Sequence, residues 1–416
     1  MEQKYTIIIV ATYLFSLIPT YISAQRHEIL SPEIKSLEIV ADQNWLGLPI
    51  ISLRRDERIN IEFDDLTHDY HRYTYKLEHC EADWTPSKGL FETDFIDGFY
   101  NGLTIDDYQE SINMATLYTH YRLQLPNEQC RLKLSGNYRI TITDDNSGKD
   151  IAKCCFMVIE PKFSVGIDMT TATDIDFNNA HQQLTVRLSY NNVRIQNPDN
   201  QIKTIALQNN RWTSARWLPR PTFRSADGME WKHSKDLIFT AGNEYRKFEF
   251  LDLHRTSMGV DHTDFDGENY HVWLFTDKPR PNYVYDEDAN GAFYIRNTDN
   301  INNDTESEYF ICHFTYDSPR PFKGDVYLNG QWTNDRLLNE YLMEYDPEHK
   351  QYHCAVKLKM GYYSYQYLLR QNNGETITLP TEGNYHQTEN RYSCLVYFRP
   401  TGGRADLLYG FGELTR

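Results

Sequence analysis

Apolar and polar residues alternate with a period of two along most of the chain, and this pattern predicts strands rather than helices. Tyr73, Tyr75 and Leu77 share one face of a run whose other face carries Arg72, Thr74, Lys76 and Glu78. Thr119, Tyr121, Leu123 and Leu125 repeat the pattern, and Tyr138, Ile140 and Ile142 continue it after a Ser135-Gly136-Asn137 turn. Residues 144–148 read as a hairpin loop and 152–159 as the next strand, with Glu160-Pro161 closing the unit. Further strands are predicted over 184–190, 205–208, 244–250, 271–275, 309–316, 324–328, 361–369, 393–398 and 406–409. Tyr363, Tyr365 and Tyr367 fall on one face of their run. No long amphipathic stretch carries helix caps. The expected class is therefore all-β, as tandem β-sandwich domains of Ig-like or early-set-like type. The polar string over 298–307 suggests a boundary. The divisions expected are a leader over 1–24, a first sandwich over 25–161, a middle β domain over 162–305 and a last sandwich over 306–416.

Composition agrees with strands: 14% of the 416 residues are aromatic and 31 are Tyr, a residue that favours strands. A chain of this length is expected to divide into several cores. The formal net charge of −17 argues against binding nucleic acid or anionic lipid, because both would repel it. Solubility is the plain reading of that charge, and a basic partner the sharper one.

The first residues predict export. Lys4 precedes an apolar run over 5–18, and Ser23-Ala24-Gln25 offers a cleavage site. The run is short for a spanning helix. Ile22 is larger than the residue usual before such a cut, and no Cys lies near it to take a lipid. Export permits disulfides among Cys80, Cys130, Cys154, Cys155, Cys312, Cys354 and Cys394, although an odd count leaves one thiol over. Cys354 with Cys394 is the first pair to test for a bridge; most of the seven read as small buried hydrophobes. Cys154 and Cys155, adjacent in a strand, should face opposite sides.

Catalytic signatures are missing from the sequence: no nucleophile elbow, zinc-protease pair, phosphate loop or dinucleotide fingerprint occurs. The carboxylate pairs Asp64-Asp65, Asp106-Asp107 and Asp174/Asp176 read first as solvated loops and turn caps. The string from Asp286 to Gly291 fits the first half of a calcium loop, with Asp286, Asp288 and Asn290 as ligands. Position twelve of that loop is Asn297 rather than Glu, so a turn held by Asp and Asn side chains is the competing reading. Near the other end, 326–332 followed by 361–369 looks like an early-set module of the kind found in glycogen-associated domains, where Trp332 could stack on a sugar. A Trp in the core or at the edge of an ordinary sandwich is the plainer alternative.

The stretch 61–127 carries the strongest signal. Two clean strands flank an excursion crowded with aromatics and carboxylates. His79-Cys80-x-Ala82-Asp83-Trp84-x-Pro86-Ser87 is followed by Phe95-Ile96-Asp97-Gly98-Phe99, Ile105-Asp106-Asp107-Tyr108, Tyr118-Thr119-His120-Tyr121 and Ser135-Gly136-Asn137-Tyr138. With Asn209-x-Arg211-Trp212, the 286–291 loop, 326–330 and Gln387-Thr388-Glu389-Asn390-x-Tyr392, this order resembles the type IX secretion system plug protein family of Bacteroidota. The resemblance covers essentially the whole chain after the leader; Glu81 departs from the Asp common at its position. It implies a non-enzymatic, periplasmic protein that docks on the large outer-membrane β-barrel translocon and closes its periplasmic mouth at rest. A plug of this kind needs no cofactor, calcium at the 286–291 loop aside. Trp84, Phe99, Tyr100 and Tyr108 lie in loop-like sequence and are the expected anchors on the barrel. The alternative is that they pack the excursion onto its own domain. A carbohydrate-binding or glycan-processing module is the rival reading of the whole chain.

Overall fold

The computed structural model describes residues 27–416, so the expected leader lies outside the described residues. Regular structure there is almost entirely β, and no described helix exceeds four residues. None is long and apolar enough to cross a membrane.

The first sandwich is built by alternation. One sheet orders strands Glu28–Ile29, Lys149–Ile159, Gly136–Asp144, Tyr73–Cys80 and Asn101–Thr104, with Ile50–Ser52 added parallel to Lys149–Ile159. Its partner sheet orders Ile34–Ala41, Ile59–Asp65, Thr119–Leu125 and Asp107–Glu110. The inward faces meet in one core, where Tyr73, Tyr75, Leu77, Tyr138, Ile140 and Ile142 oppose Ile34, Ile59, Ile61 and Phe63. Phe63 stacks on Tyr121 with centroids 5.4 Å apart, and each such aromatic pair adds about 0.5–1.5 kcal/mol to its area burial.

Strands are not shared out along the chain as the boundary near 298–307 suggests. Arg391–Phe398 and Leu407–Thr415, expected with the last sandwich, instead join Ile202–Gln208 and Arg211–Trp217 in a four-stranded sheet. Arg391–Phe398 is apolar on both faces: Tyr392, Cys394, Val396 and Phe398 enter one core, Leu395 and Tyr397 another. Such a strand must lie between two layers, and the middle of the molecule supplies both. Above it lies the sheet of Ser164–Thr170, His181–Ser189, Gly228–Trp231 and Phe223–Arg224. Conversely, Arg246–Phe250 and Tyr270–Leu274 belong to the ten-stranded sheet that contains Tyr309–Asp317 and Gly361–Gln371. Tyr363, Tyr365 and Tyr367 all face the core of that sheet, as their spacing predicts.

A fourth core joins the first sandwich to the middle unit. Cys80, Ala82, Trp84, Cys155 and Met157 pack on Ile205, Leu207, Leu395, Tyr397 and Leu408. Cys154 and Cys155 do face opposite sides, one into the first sandwich and the other into this joint. All seven cysteines are free, six of them buried. The expected Cys354–Cys394 bridge is absent because the two sit in different cores.

Candidate functional site

The string at 79–87 makes a corner at the end of strand Tyr73–Cys80. His79 is buried and neutral: its Nε2–H donates to the Ser135 carbonyl at 3.1 Å, and the Ser87 hydroxyl donates to Nδ1 at 2.8 Å. Burial lowers its pKa to about 4. Gly136 is required beside it, with φ +138 and a position where a Cβ would lie 2.4 Å from His79 Nε2. Trp84 then turns inward. It is 3% exposed, sits at φ +66 and meets Trp212 edge-on at 5.3 Å. Trp84 is therefore corrected from docking anchor to joint residue, because the middle unit covers what sequence alone reads as a loop.

The same corner is fixed electrostatically. Asp406 accepts the Ala82 amide at 3.1 Å, Lys203 Nζ at 2.8 Å and Arg399 Nε at 2.9 Å. Burial raises the pKa of its carboxyl, but Lys203, the Ala82 amide and Arg399 outweigh that and hold it below the usual range. Glu81 accepts the Asp406 amide at 2.9 Å and pairs with Arg399. Tyr397 donates to Asn137 at 2.8 Å. Where the units meet, a cavity of about 120 Å³ is lined by Trp45, Trp84, Trp212, Arg211 and Tyr245 among others.

The other expected anchors divide. Phe99 is 65% exposed, just past the short strand Ile96–Gly98. Tyr108 is exposed on the edge strand Asp107–Glu110, where its ring lies 4.9 Å from exposed Tyr70 and rests on Tyr121. Tyr100 is half-buried and packs against the first core, so little of it is left to offer a partner. Phe91, at 70% exposure, and Tyr70, Ile112 and Leu117 are exposed apolar residues that alternation does not single out. Exposed Asp97, Asp106, Asp107 and Glu110 flank Phe99 and Tyr108 in the chain. This mix of a few aromatics among charges suits a partner-docking face.

Other candidates find structural roles. Trp332 is buried, its Nε1–H donates to the Ser364 carbonyl at 3.2 Å, and its ring packs on Phe314 and Tyr363. It is a core residue with no face free for a sugar. Asp64 and Asp65 are not solvated: both are fully buried in strand Ile59–Asp65. In the 286–291 loop, Asp286 lies 2.6 Å from Lys247 Nζ, while Asp288 accepts the amides of Tyr245 and Asn290. Burial pushes the Asp288 carboxyl up to about 7. Asn290 takes the left-handed conformation at φ +52, and its buried Oδ1 has no partner among the described residues.

A family model for the first domain of the type 9 secretion system plug protein matches residues 34–160, the stretch that folds as the first sandwich. That family is a secretion-system component and not a class of enzyme. The fold is similar along nearly its whole length to a crystal structure of a hypothetical protein from Parabacteroides merdae. The TM-score is 0.90 at 39% identity, covering 94% of this chain and 99% of that one. The C-terminal domain of the antigen I/II polypeptide BspA of Streptococcus agalactiae is 7% identical over 91% of this chain and 99% of that one, with a TM-score of 0.18. No curated protein matches the sequence.

Proposed function

We propose that this chain, whose residues 34–160 match the first domain of the type 9 secretion system plug protein, is the periplasmic plug of that system. In this reading it docks on the large outer-membrane β-barrel translocon and blocks its periplasmic opening at rest. The observation that carries the reading is the match over 34–160, a sandwich braced against two further units and carrying exposed Phe99 and Tyr108. Occlusion is steric and asks for a stiff body rather than a reactive group. The buried contacts at the Trp84 joint supply that stiffness. A reversible seal needs only a few aromatic anchors within a polar rim, since a handful of side chains carries most of the energy of an interface. Phe99 and Tyr108 are assigned that role, with Phe91 and Tyr70 beside them.

Deleting the gene tests the proposal. Cells are expected to admit large antibiotics through the outer membrane only while the translocon barrel is present. Equal leakage in a strain that lacks the barrel would refute the plug. Pull-down of the native protein from solubilised outer membranes should recover a very large barrel protein.

A further inference from the structure

Three side chains outside the docking face converge where the first sandwich meets the ten-stranded unit. Glu62 comes from strand Ile59–Asp65, His120 from Thr119–Leu125, and Asp304 from the polar turn before Tyr309–Asp317. One ligand atom from each lies within 4.8 Å of the other two. His120 is 6% exposed. Its Nδ1 faces Asp64 Oδ1 at 2.8 Å, which fixes the ring and leaves Nε2 aimed at the two carboxylates. Nε2 is buried, has no hydrogen-bond partner among the described residues, and stands 3.9 Å from Glu62 and 3.8 Å from Asp304. Those gaps are too long for hydrogen bonds. They are close to what three ligands around one cation leave between them.

The charges agree. Among the described residues Glu62, Asp64 and Asp304 share two cations, Arg122 and Lys359, and exposed Asp107 also lies 3.6 Å from Arg122. Arg122 Nε donates to Glu62 Oε1 at 3.0 Å, which leaves Oε2 facing His120; its Nη2 pairs with Asp304 Oδ2, the oxygen that faces His120, so a cation there shares that oxygen with the guanidinium or takes Oδ1 after the carboxylate turns. The Asp64–His120 contact has the form of a carboxylate that orients a metal-binding imidazole. Glu62 and Asp304 are only part-buried, so an ion can enter from solvent.

We propose that Glu62, His120 and Asp304 bind a divalent transition cation of the zinc class, which clamps the first sandwich to the ten-stranded unit. One imidazole nitrogen and two carboxylates suit zinc, with water completing the shell. Calcium and magnesium prefer all-oxygen sites. Zinc bonds of ~2.0–2.2 Å set ligand atoms about 3.4 Å apart, so the two carboxylates must draw toward His120 Nε2 by about half an ångström.

Residues 25–416, stripped with a chelator and dialysed, should take up one equivalent of zinc by equilibrium dialysis, and their Tm should rise. His120→Gln and Asp304→Asn should each lose that equivalent and the rise in Tm. Their circular dichroism should match wild type in the absence of metal. Should His120→Gln fail to fold, Asp304→Asn at the surface turn carries the test. Cobalt(II) should give a visible absorption band in wild type that Asp304→Asn lacks. Failure of wild type to bind zinc, or full stoichiometric binding by Asp304→Asn, would overturn the site.

Discussion

Lys359 Nζ lies 2.6 Å from Asp64 Oδ2 across the join between the first sandwich and the ten-stranded unit, and the two side chains are only 2% and 1% exposed. Asp64 also accepts the Tyr309 hydroxyl at 2.6 Å, and the ammonium sits 4.1 Å from the centre of the Tyr118 ring. Two charges taken out of water hold together only because every partner is present. Lys359→Met should therefore cost about 3–5 kcal/mol in urea denaturation, since it strands a buried carboxylate. Lys359→Met combined with Asp64→Asn should recover much of that loss. A double variant as unstable as the sum of the single ones would show that the pair is not coupled.

Stability should fall in acid, partly through the same carboxylate. Burial acts to raise the Asp64 pKa, but Lys359 and His120 outweigh it and leave the pKa depressed. The stabilisation is present above about 4, the value for an unfolded Asp, and is lost as pH falls through the lower folded value. Acid titration followed by near-ultraviolet circular dichroism should show Asp64→Asn with a flatter acid limb than wild type.

Asp288 should act with the opposite sign. Burial raises its carboxyl to about 7. Its folded form is favoured below about 4 and loses ground as pH rises through 7. Asp288→Asn should remove that pH-dependent loss between pH 4 and 8, read from denaturation midpoints. Lys247 already places a positive charge on Asp286, so added calcium should leave the wild-type Tm unchanged.

Trp84 and Phe99 should separate stability from docking. Trp84→Ala opens a cavity in the joint and should cost about 3–5 kcal/mol. Phe99→Ala and Tyr108→Ala should leave stability within about 0.5 kcal/mol. Both should reduce recovery of the barrel in the pull-down. Undiminished recovery by the double variant would move the docking face elsewhere.

The seven thiols should remain free. Burial pushes the Cys354 thiol up to about 12, so even this least buried Cys should alkylate slowly at neutral pH. Mass spectrometry after alkylation in denaturant without reductant should find seven labels. Fewer would mean that a bridge forms.

Much of the fold was legible because strand alternation is a local property. Tyr73–Cys80, Thr119–Leu125 and Gly361–Gln371 fall close to where the pattern puts them, with the expected faces inward. A further signal was available in the unbroken apolar runs at 154–159 and 394–398, which mark strands buried on both faces. Trp84 was not legible as a joint residue, since its cover comes from Trp212, more than a hundred residues away. Nor were Glu62, His120 and Asp304, which share no spacing and meet only when two units close.

The sequence by itself determined the all-β class, the opposed faces of Cys154 and Cys155, and the match of residues 34–160 to the plug-protein first domain. These rest on periodicity and on ordered motifs, both carried by neighbours in the chain. Only the tertiary structure decided that strand Arg391–Phe398 returns to the middle unit, that Trp84 and Trp332 are buried, and that Phe99 and Tyr108 stay exposed. Which side of a residue is covered depends on contacts between distant segments, and burial is settled only when those segments meet.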